Sequence, residues 1–304
     1  MRIVDLFGGL GGWTTAAHLA RLEAIWAANH SQLAVYWHRR NHPWIDHVCQ
    51  DLCQYNFGLV PDHDLALMSP CCQGHSRGRK RGNALHDASR ATAWAVVSLL
   101  EAKRPPLAIV ENVPEFTKWA LFPAFKQALA ALGYAYSLVV SDAADSGAPQ
   151  NRVRLFIVLT RSKAPLQIKL PRHPHRAVSE FIQWDAHKWT PIKRPGRSLK
   201  TLARVERARA EIGWEFVMPY YSKGSGLTGR SLDRPLGTLT TKARWAVVRG
   251  DHMRMLQPEE ARAIMSFPAE YQLPANKGQA NHLLGNAVCP AHGAEIIRAV
   301  LQAA

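Results

Sequence analysis

Acidic residues are scarce in this chain: 23 Asp and Glu stand against 38 Lys and Arg among 304 residues, for a formal net charge of +15. That balance suits a partner rich in phosphate. Cysteine is also sparse. The five thiols, an odd number without regular spacing, argue against a disulfide framework and for a reducing, cytoplasmic setting. No apolar run approaches the length of a membrane span, so no membrane partner is expected. Neither an internal repeat nor a low-complexity tract interrupts the chain, and a hydrophobic fraction of 47% is ordinary for a folded protein. The glycines near the start do not form the Gly-x-Gly-x-x-Gly fingerprint and bring no phosphate-gripping lysine, which points away from a dinucleotide or nucleoside triphosphate. A zinc site built from Cys49, Cys53, Cys71 and Cys72 is disfavoured because the last two are adjacent, and no metal is expected.

The positive charge is concentrated. From Arg161 to Gly250 there are 19 Lys or Arg and 6 Asp or Glu, a net +13, which leaves only +2 for everything else. Before that segment, short apolar runs alternate with helical patterns, as in a parallel sheet with crossover helices. Expected strands are Ile3 to Phe7, Ala24 to Ala28, Leu65 to Met68, Leu107 to Val110, Tyr136 to Val140 and Arg154 to Thr160. Expected helices run from Thr14 to Leu22, Asp87 to Lys103 and Pro123 to Leu132, with Pro105, Pro106 and Gly133 as stops. After Thr160 the periodicity weakens, apart from one basic helix, Ser198 to Ile212, closed by Gly213. It returns at Pro258 to Met265 and Ala291 to Leu301. The chain thus divides into a sheet domain, 1–163, a small basic domain, 164–250, and a return to the sheet domain, 251–304.

Two stretches carry chemistry at the expected carboxyl edge of the sheet. Asp5-Leu6-Phe7-Gly8-Gly9-Leu10-Gly11-Gly12 gives a tight turn open to a nucleoside-type ligand without phosphates. Ser69-Pro70-Cys71-Cys72-Gln73-Gly74-His75-Ser76 places a thiol after an apolar strand, where a nucleophile belongs, followed by a basic glycine-containing loop with Arg77, Arg79, Lys80 and Arg81. Glu111 follows the Leu107 strand and would share that edge. A thiol and a carboxyl in one cleft suit addition to a ring whose nitrogen gains charge. Gln150-Asn151-Arg152-Val153-Arg154 sets two arginines on one face of the next strand, able to clamp a phosphate or orient the acid.

In order, Asp-Leu-Phe-Gly-Gly-x-Gly-Gly, Pro-x-Cys-Gln-Gly-x-Ser, Glu-Asn-Val, Gln-x-Arg-x-Arg, Arg-Pro-x-x-Thr-x-Thr (Arg234, Thr238, Thr240) and Gly-Asn-Ala-Val (Asn286, Val288) closely resemble the motif series of the cytosine-C5 DNA methyltransferases. The resemblance implies a Rossmann-like class I α/β sheet with a small, basic target recognition domain. It implies S-adenosyl-L-methionine as methyl donor and double-stranded DNA as partner, with the enzyme acting as a monomer. Aligned on Gln73, Cys72 rather than Cys71 would attack C6 of a flipped cytosine. Glu111 would bond the base at N3 and its amino group, supported by Arg152 and Arg154.

For the cofactor, the resemblance implies Asp5, Phe7 stacked on adenine, Gly9, Gly11, Gly12, Asp51 near the adenine amino group, Pro70, Asn286 and Val288. Asn29 stands where the family usually has a carboxylate for the ribose, and Cys71 where it usually has a second proline. For DNA it implies Gln73, His75, Ser76 and the cations Arg77, Arg79, Lys80 and Arg81 of the closing loop. In or beside the basic segment Lys223, Arg230, Arg234, Thr238, Thr240, Lys242 and Arg244 are candidate contacts. Two other readings share the motifs: a tRNA cytosine-C5 methyltransferase, which the size of the basic segment disfavours, and a homologue that binds DNA without chemistry. A restriction partner, a phage's self-protection and an orphan enzyme fit the chain equally.

Overall fold

The computed structural model describes residues 1–71, 84–220 and 229–304, with the backbone alone over 84–91. Its larger sheet has seven strands in the order β3-β2-β1-β4-β5-β7-β6. These are β1 (Arg2–Leu6), β2 (Glu23–Asn29), β3 (Asp46–Cys49), β4 (Leu65–Met68), β5 (Leu107–Asn112), β6 (Ala135–Asp142) and β7 (Val153–Thr160). The first five run parallel. The parallel sheet with crossover helices expected for this part of the chain is present, and at its far side β7 lies antiparallel to both β5 and β6. The cause is the short connection 143–152, which can close a hairpin but cannot span the dozen or more residues of a parallel crossover.

Period-two alternation divides the core into two layers. Ile3, Leu65, Leu67, Ile109 and Phe156 face α1 (Gly12–Leu19) and α8 (Pro290–Ala303), where Ala16, Ile296, Ile297 and Val300 are buried. Val4, Ala66, Met68, Val110 and Ile157 face α3 (Ala84–Lys103) and α4 (Phe122–Ala131), against Val96, Leu99, Phe125 and Leu129. β4 and β5 are buried on both faces, which is why they read in sequence as unbroken apolar runs. The expected strands and helices all occur, each with its ends within three residues of those expected. β3 and α2 (Gln32–Asn41) gave no clear sequence signal: β3 is Asp-His-Val-Cys, and α2 is mostly polar.

The basic segment builds a second sheet, ordered β8-β11-β10-β9. Its strands are β8 (Thr190–Pro191), β9 (Glu215–Pro219), β10 (Trp245–Arg249) and β11 (His252–Met255), so it reaches past residue 250 into the segment expected to return to the first sheet. The basic helix α5 (Leu199–Ile212), capped by the Ser198 side chain, packs Val205 and Ala208 against Phe216, Met218, Ala246 and Val248. One buried ion pair joins this sheet to the C-terminal helices. Arg254 on β11 grips Glu260 of α6 (Pro258–Ile264) with both terminal nitrogens, at 2.7 and 2.8 Å. α7 (Lys277–Asn286) and α8 then carry the chain back to the larger sheet.

Candidate functional site

β1 lies between β2 and β4, and the chain order reverses there; the crevice outside the carboxyl ends at such a switch point is where doubly wound sheets take ligands. Both stretches singled out in the sequence emerge at it. The turn after β1 is tied to its neighbours by Gly8 N donating to Ala28 O at 3.0 Å and Ser69 N donating to Leu6 O at 3.2 Å.

One cavity is lined by Asp5, Phe7, Gly8, Gly9, Gly12, Trp13, Ser69, Asn286, Ala287 and Val288. It brings together six candidate cofactor residues from the two ends of the chain: Asp5, Phe7, Gly9, Gly12, Asn286 and Val288. Trp13 and Ser69 were not singled out for the cofactor, although Trp13 directly follows the glycines; its ring N–H donates to Ser69 Oγ at 2.8 Å. Close approach explains Gly12, because a Cβ there would lie 2.2 Å from the Val288 carbonyl oxygen. Asp5 is wholly buried, and desolvation pushes its carboxyl up to about 7 against the hydrogen bond from Thr14. Oδ2 accepts that bond at 2.9 Å, while Oδ1 is buried without a partner. A carboxyl oxygen without a partner, two aromatic rings and a turn without lysine suit a ligand that lacks phosphates.

Four candidates lie outside that lining. Gly11 is buried, with Tyr271 and His38 where a Cβ would stand. Asn29 ends β2, buried, with Oδ1 accepting from Ser31 N at 2.9 Å. Asp51 is exposed and accepts from Cys53 N at 2.9 Å. Pro70 is buried, and its carbonyl accepts from Asn112 Nδ2 at 3.1 Å.

That last bond matters for the thiol stretch. With Cys71 N donating to Thr92 Oγ1 at 2.9 Å, it holds the chain from two sides immediately before Cys72. Asn112 was legible only as the middle residue of Glu-Asn-Val. Cys72, Gln73, His75, Ser76, Arg77, Arg79, Lys80, Arg81 and Lys223 lie outside the described residues.

Glu111 is part of β5 rather than just beyond it, opposite Phe156 of β7. Arg154, two residues from Phe156, therefore shares its face diagonally, and Arg154 Nε lies 2.9 Å from Glu111 Oε1. Both side chains are nearly buried, at 13% and 11% exposure, which strengthens a charge-assisted bond. Arg152 departs from the expectation that the two arginines share a strand face. It precedes β7, its N–H donating to Asp142 Oδ1 at 2.6 Å in the hairpin connection. Its guanidinium turns away and donates to the carbonyls of Leu239, Gly285 and Ala287 at 3.0, 2.9 and 2.9 Å.

Arg152 thus fastens the second sheet's return segment and the Asn286–Val288 stretch to the first sheet. Gln150 does similar work, donating to Met265 Sδ and accepting from Leu239 N, and Thr238 Oγ1 donates to Asn151 O at 2.7 Å. Thr240 bonds its own neighbourhood at Lys242 O, and Arg244 donates to Tyr220 O. Arg230, Arg234 and Lys242 are exposed. Among the described residues no group of three or more His, Cys, Asp or Glu could hold a metal ion, and no helix is long and apolar enough to cross a membrane.

Comparison with known proteins agrees with this geometry. The model of the C-5 cytosine-specific DNA methylase family matches residues 1–302. Type II methyltransferase M.NlaX of Neisseria lactamica is 25% identical over 99% of this chain and 95% of its own. M.HhaI of Haemophilus parahaemolyticus is 23% identical over 95% and 90%. In fold, the chain is similar to the solved Spodoptera frugiperda DNMT2, with a TM-score of 0.73 at 17% identity over 99% of both chains. S. pombe Dnmt2 methyltransferase gives 0.70 at 16% identity over 99% and 98%. With the family model spanning nearly the whole chain and the sheet order, glycine turn and Glu111 edge in place, the protein belongs to the C-5 cytosine-specific DNA methylase family, whose members transfer methyl groups to cytosine in DNA.

Proposed function

We propose that this DNA cytosine-5-methyltransferase works through Cys72 as nucleophile, Glu111 as the group that holds the base, and Arg154 as the residue that orients Glu111. Cys72 sulfur adds to C6 of a cytosine swung out of the duplex, and the electron pair displaced from the C5–C6 bond makes C5 nucleophilic. Glu111 bonds N3 and the amino group as charge builds in the ring. S-adenosyl-L-methionine supplies the methyl group that C5 takes up and is left as S-adenosylhomocysteine; loss of the C5 proton to solvent and of the Cys72 thiolate from C6 then restores the ring. The observation that carries this reading is the Arg154–Glu111 pair at 2.9 Å, on the sheet edge whose Asn112 anchors Pro70, while Thr92 of α3 holds Cys71.

For the methyl donor, Phe7 and Trp13 offer aromatic faces and Asp5 offers its unpartnered oxygen to positive charge. Arg230, Arg234, Lys242 and Arg244 are assigned to duplex DNA, with residues 164–250 as the recognition domain. Lys223 and the loop from Gln73 to Arg81 are assigned to it as well. The enzyme acts as a monomer in the cytoplasm, where the exposed Cys49 and Cys53 stay reduced. Transfer of labelled methyl to duplex DNA tests the assignment. Cys72→Ala abolishes transfer, a loss of about 10⁴-fold or more, and Cys71→Ala largely preserves it. The reverse pattern would show that the neighbouring thiol is the nucleophile.

A further inference from the structure

The turn assigned to the methyl donor is strained. Phe7 has φ 61° and Gly11 φ 91°, so the five residues from Phe7 to Gly11 hold two left-handed conformations, one of them on a side chain that disfavours it. Such strain persists only where neighbouring contacts over-determine it. Here one of the contacts comes from the far end of the sequence. The Tyr271 hydroxyl, 261 positions after Leu10, donates to the Leu10 carbonyl. His42 Nε2 lies 3.1 Å from that hydroxyl and 3.2 Å from Thr15 Oγ1. Thr15 Oγ1 in turn donates to the Gly11 carbonyl at 2.8 Å.

Two consecutive carbonyls of the turn are therefore held by a tyrosine and a threonine bridged through one imidazole. All three side chains are buried. Burial lowers the His42 imidazole to about 4, with the His47 and His18 charges adding to the effect, and raises the Tyr271 phenol. Both are thus neutral near pH 7, and the network carries no buried charge of its own. The fit at Gly11 is equally close, because a Cβ there would stand 2.6 Å from Tyr271 Oη. Tyr271 does not line the cavity, and its hydroxyl is spent on the Leu10 carbonyl of the turn.

We propose that Tyr271 is a positioning residue for the methyl donor: through Leu10, and through His42 and Thr15 to Gly11, it holds the glycine turn in the strained shape that receives S-adenosylmethionine. The proposal rests on the cofactor reading above and makes cofactor affinity depend on a residue between α6 and α7. Calorimetric titration with S-adenosylhomocysteine tests it on wild type, Tyr271→Phe and His42→Leu, with circular dichroism establishing that each is folded. Tyr271→Phe, which removes one oxygen, weakens binding about tenfold, and His42→Leu about threefold.

The KM for S-adenosylmethionine rises to match, while kcat at saturating cofactor and affinity for duplex DNA stay at wild-type values. A tyrosine that only packs would lower the melting temperature and leave the affinity of the folded protein unchanged; that outcome overturns the proposal. Should Tyr271→Phe fail to fold, His42→Leu carries the same test, with unchanged affinity again overturning it. A wild-type protein that takes up no S-adenosylhomocysteine overturns instead the cofactor reading.

Discussion

The two sheets handle charge in opposite ways. Around the seven-stranded sheet, charge is sparse and aimed: Glu111 and Arg154 meet because strand register puts them on one face, and Asp5 sits at the floor of a cavity. Around the four-stranded sheet it is abundant, and part of it is committed to structure. Arg209 donates to Gly250 O and Asp251 and covers the Trp214 ring at 4.6 Å. Arg249 pairs with Asp185 and Glu215, Arg176 with Glu180, and Arg204 donates to Pro219 O. A net +13 therefore overstates the number of cations available to phosphate, and position is a better guide to recognition than composition.

The joint between the regions offers the strongest way to break that comparison. Glu260→Gln leaves Arg254 buried without its counter-charge, and should cost about 3–5 kcal/mol in chemical denaturation. If the two sheets unfold in separate transitions instead, their independence is greater than the contact suggests. Next in size is the contrast between the two arginines. Arg154→Leu should lower kcat about 10²-fold with DNA affinity unchanged, since it frees Glu111 without touching the fold's fastenings. Arg152→Leu should lower stability first, because three carbonyls lose their donor. Equal loss of kcat and equal stability in the two variants would erase the distinction.

This distinction also marks the limit of what the sequence discloses. Strand and helix periodicity was plain wherever a segment is buried on a regular face, so every strand of the catalytic sheet except β3 was legible to within two residues at each end. Arg152 and Arg154 look alike as a pattern, and only the hairpin connection, which starts the strand at Val153, separates their roles. Tyr271 and His42 reach the cofactor turn over long sequence distances, which no local pattern encodes. The strands of the second sheet were missed because they are short, end in charged or polar residues, and are separated by segments without period.

Asp5 gives a third, pH-dependent test within the catalytic region. Its raised value means that the folded protein keeps a proton that the unfolded chain releases near 4, so stability falls as pH rises toward 7. His42, lowered to about 4, works in the other direction, with stability lost as pH falls from 6.5 toward 4. Asp5→Asn, which carries no charge at any pH, should therefore raise the melting temperature of the cofactor-free protein more at pH 8 than at pH 5. An equal difference at both values would mean that the buried carboxyl ionises freely.

The smallest effect falls on the basic region, where part of the charge is committed to structure. Arg230→Gln and Lys242→Gln remove exposed cations, and each should reduce the slope of log affinity for duplex DNA against log salt by about 1. Arg209→Gln removes the same formal charge from a side chain already bonded to Gly250 O and Asp251, and should leave the slope unchanged while lowering stability. Fluorescence anisotropy across a salt series measures all three. If the slope drops equally in all three, DNA responds to the region's total charge, and the division between committed and available cations is wrong. If only Arg230→Gln and Lys242→Gln respond, those two cations meet phosphate and the committed Arg209 does not.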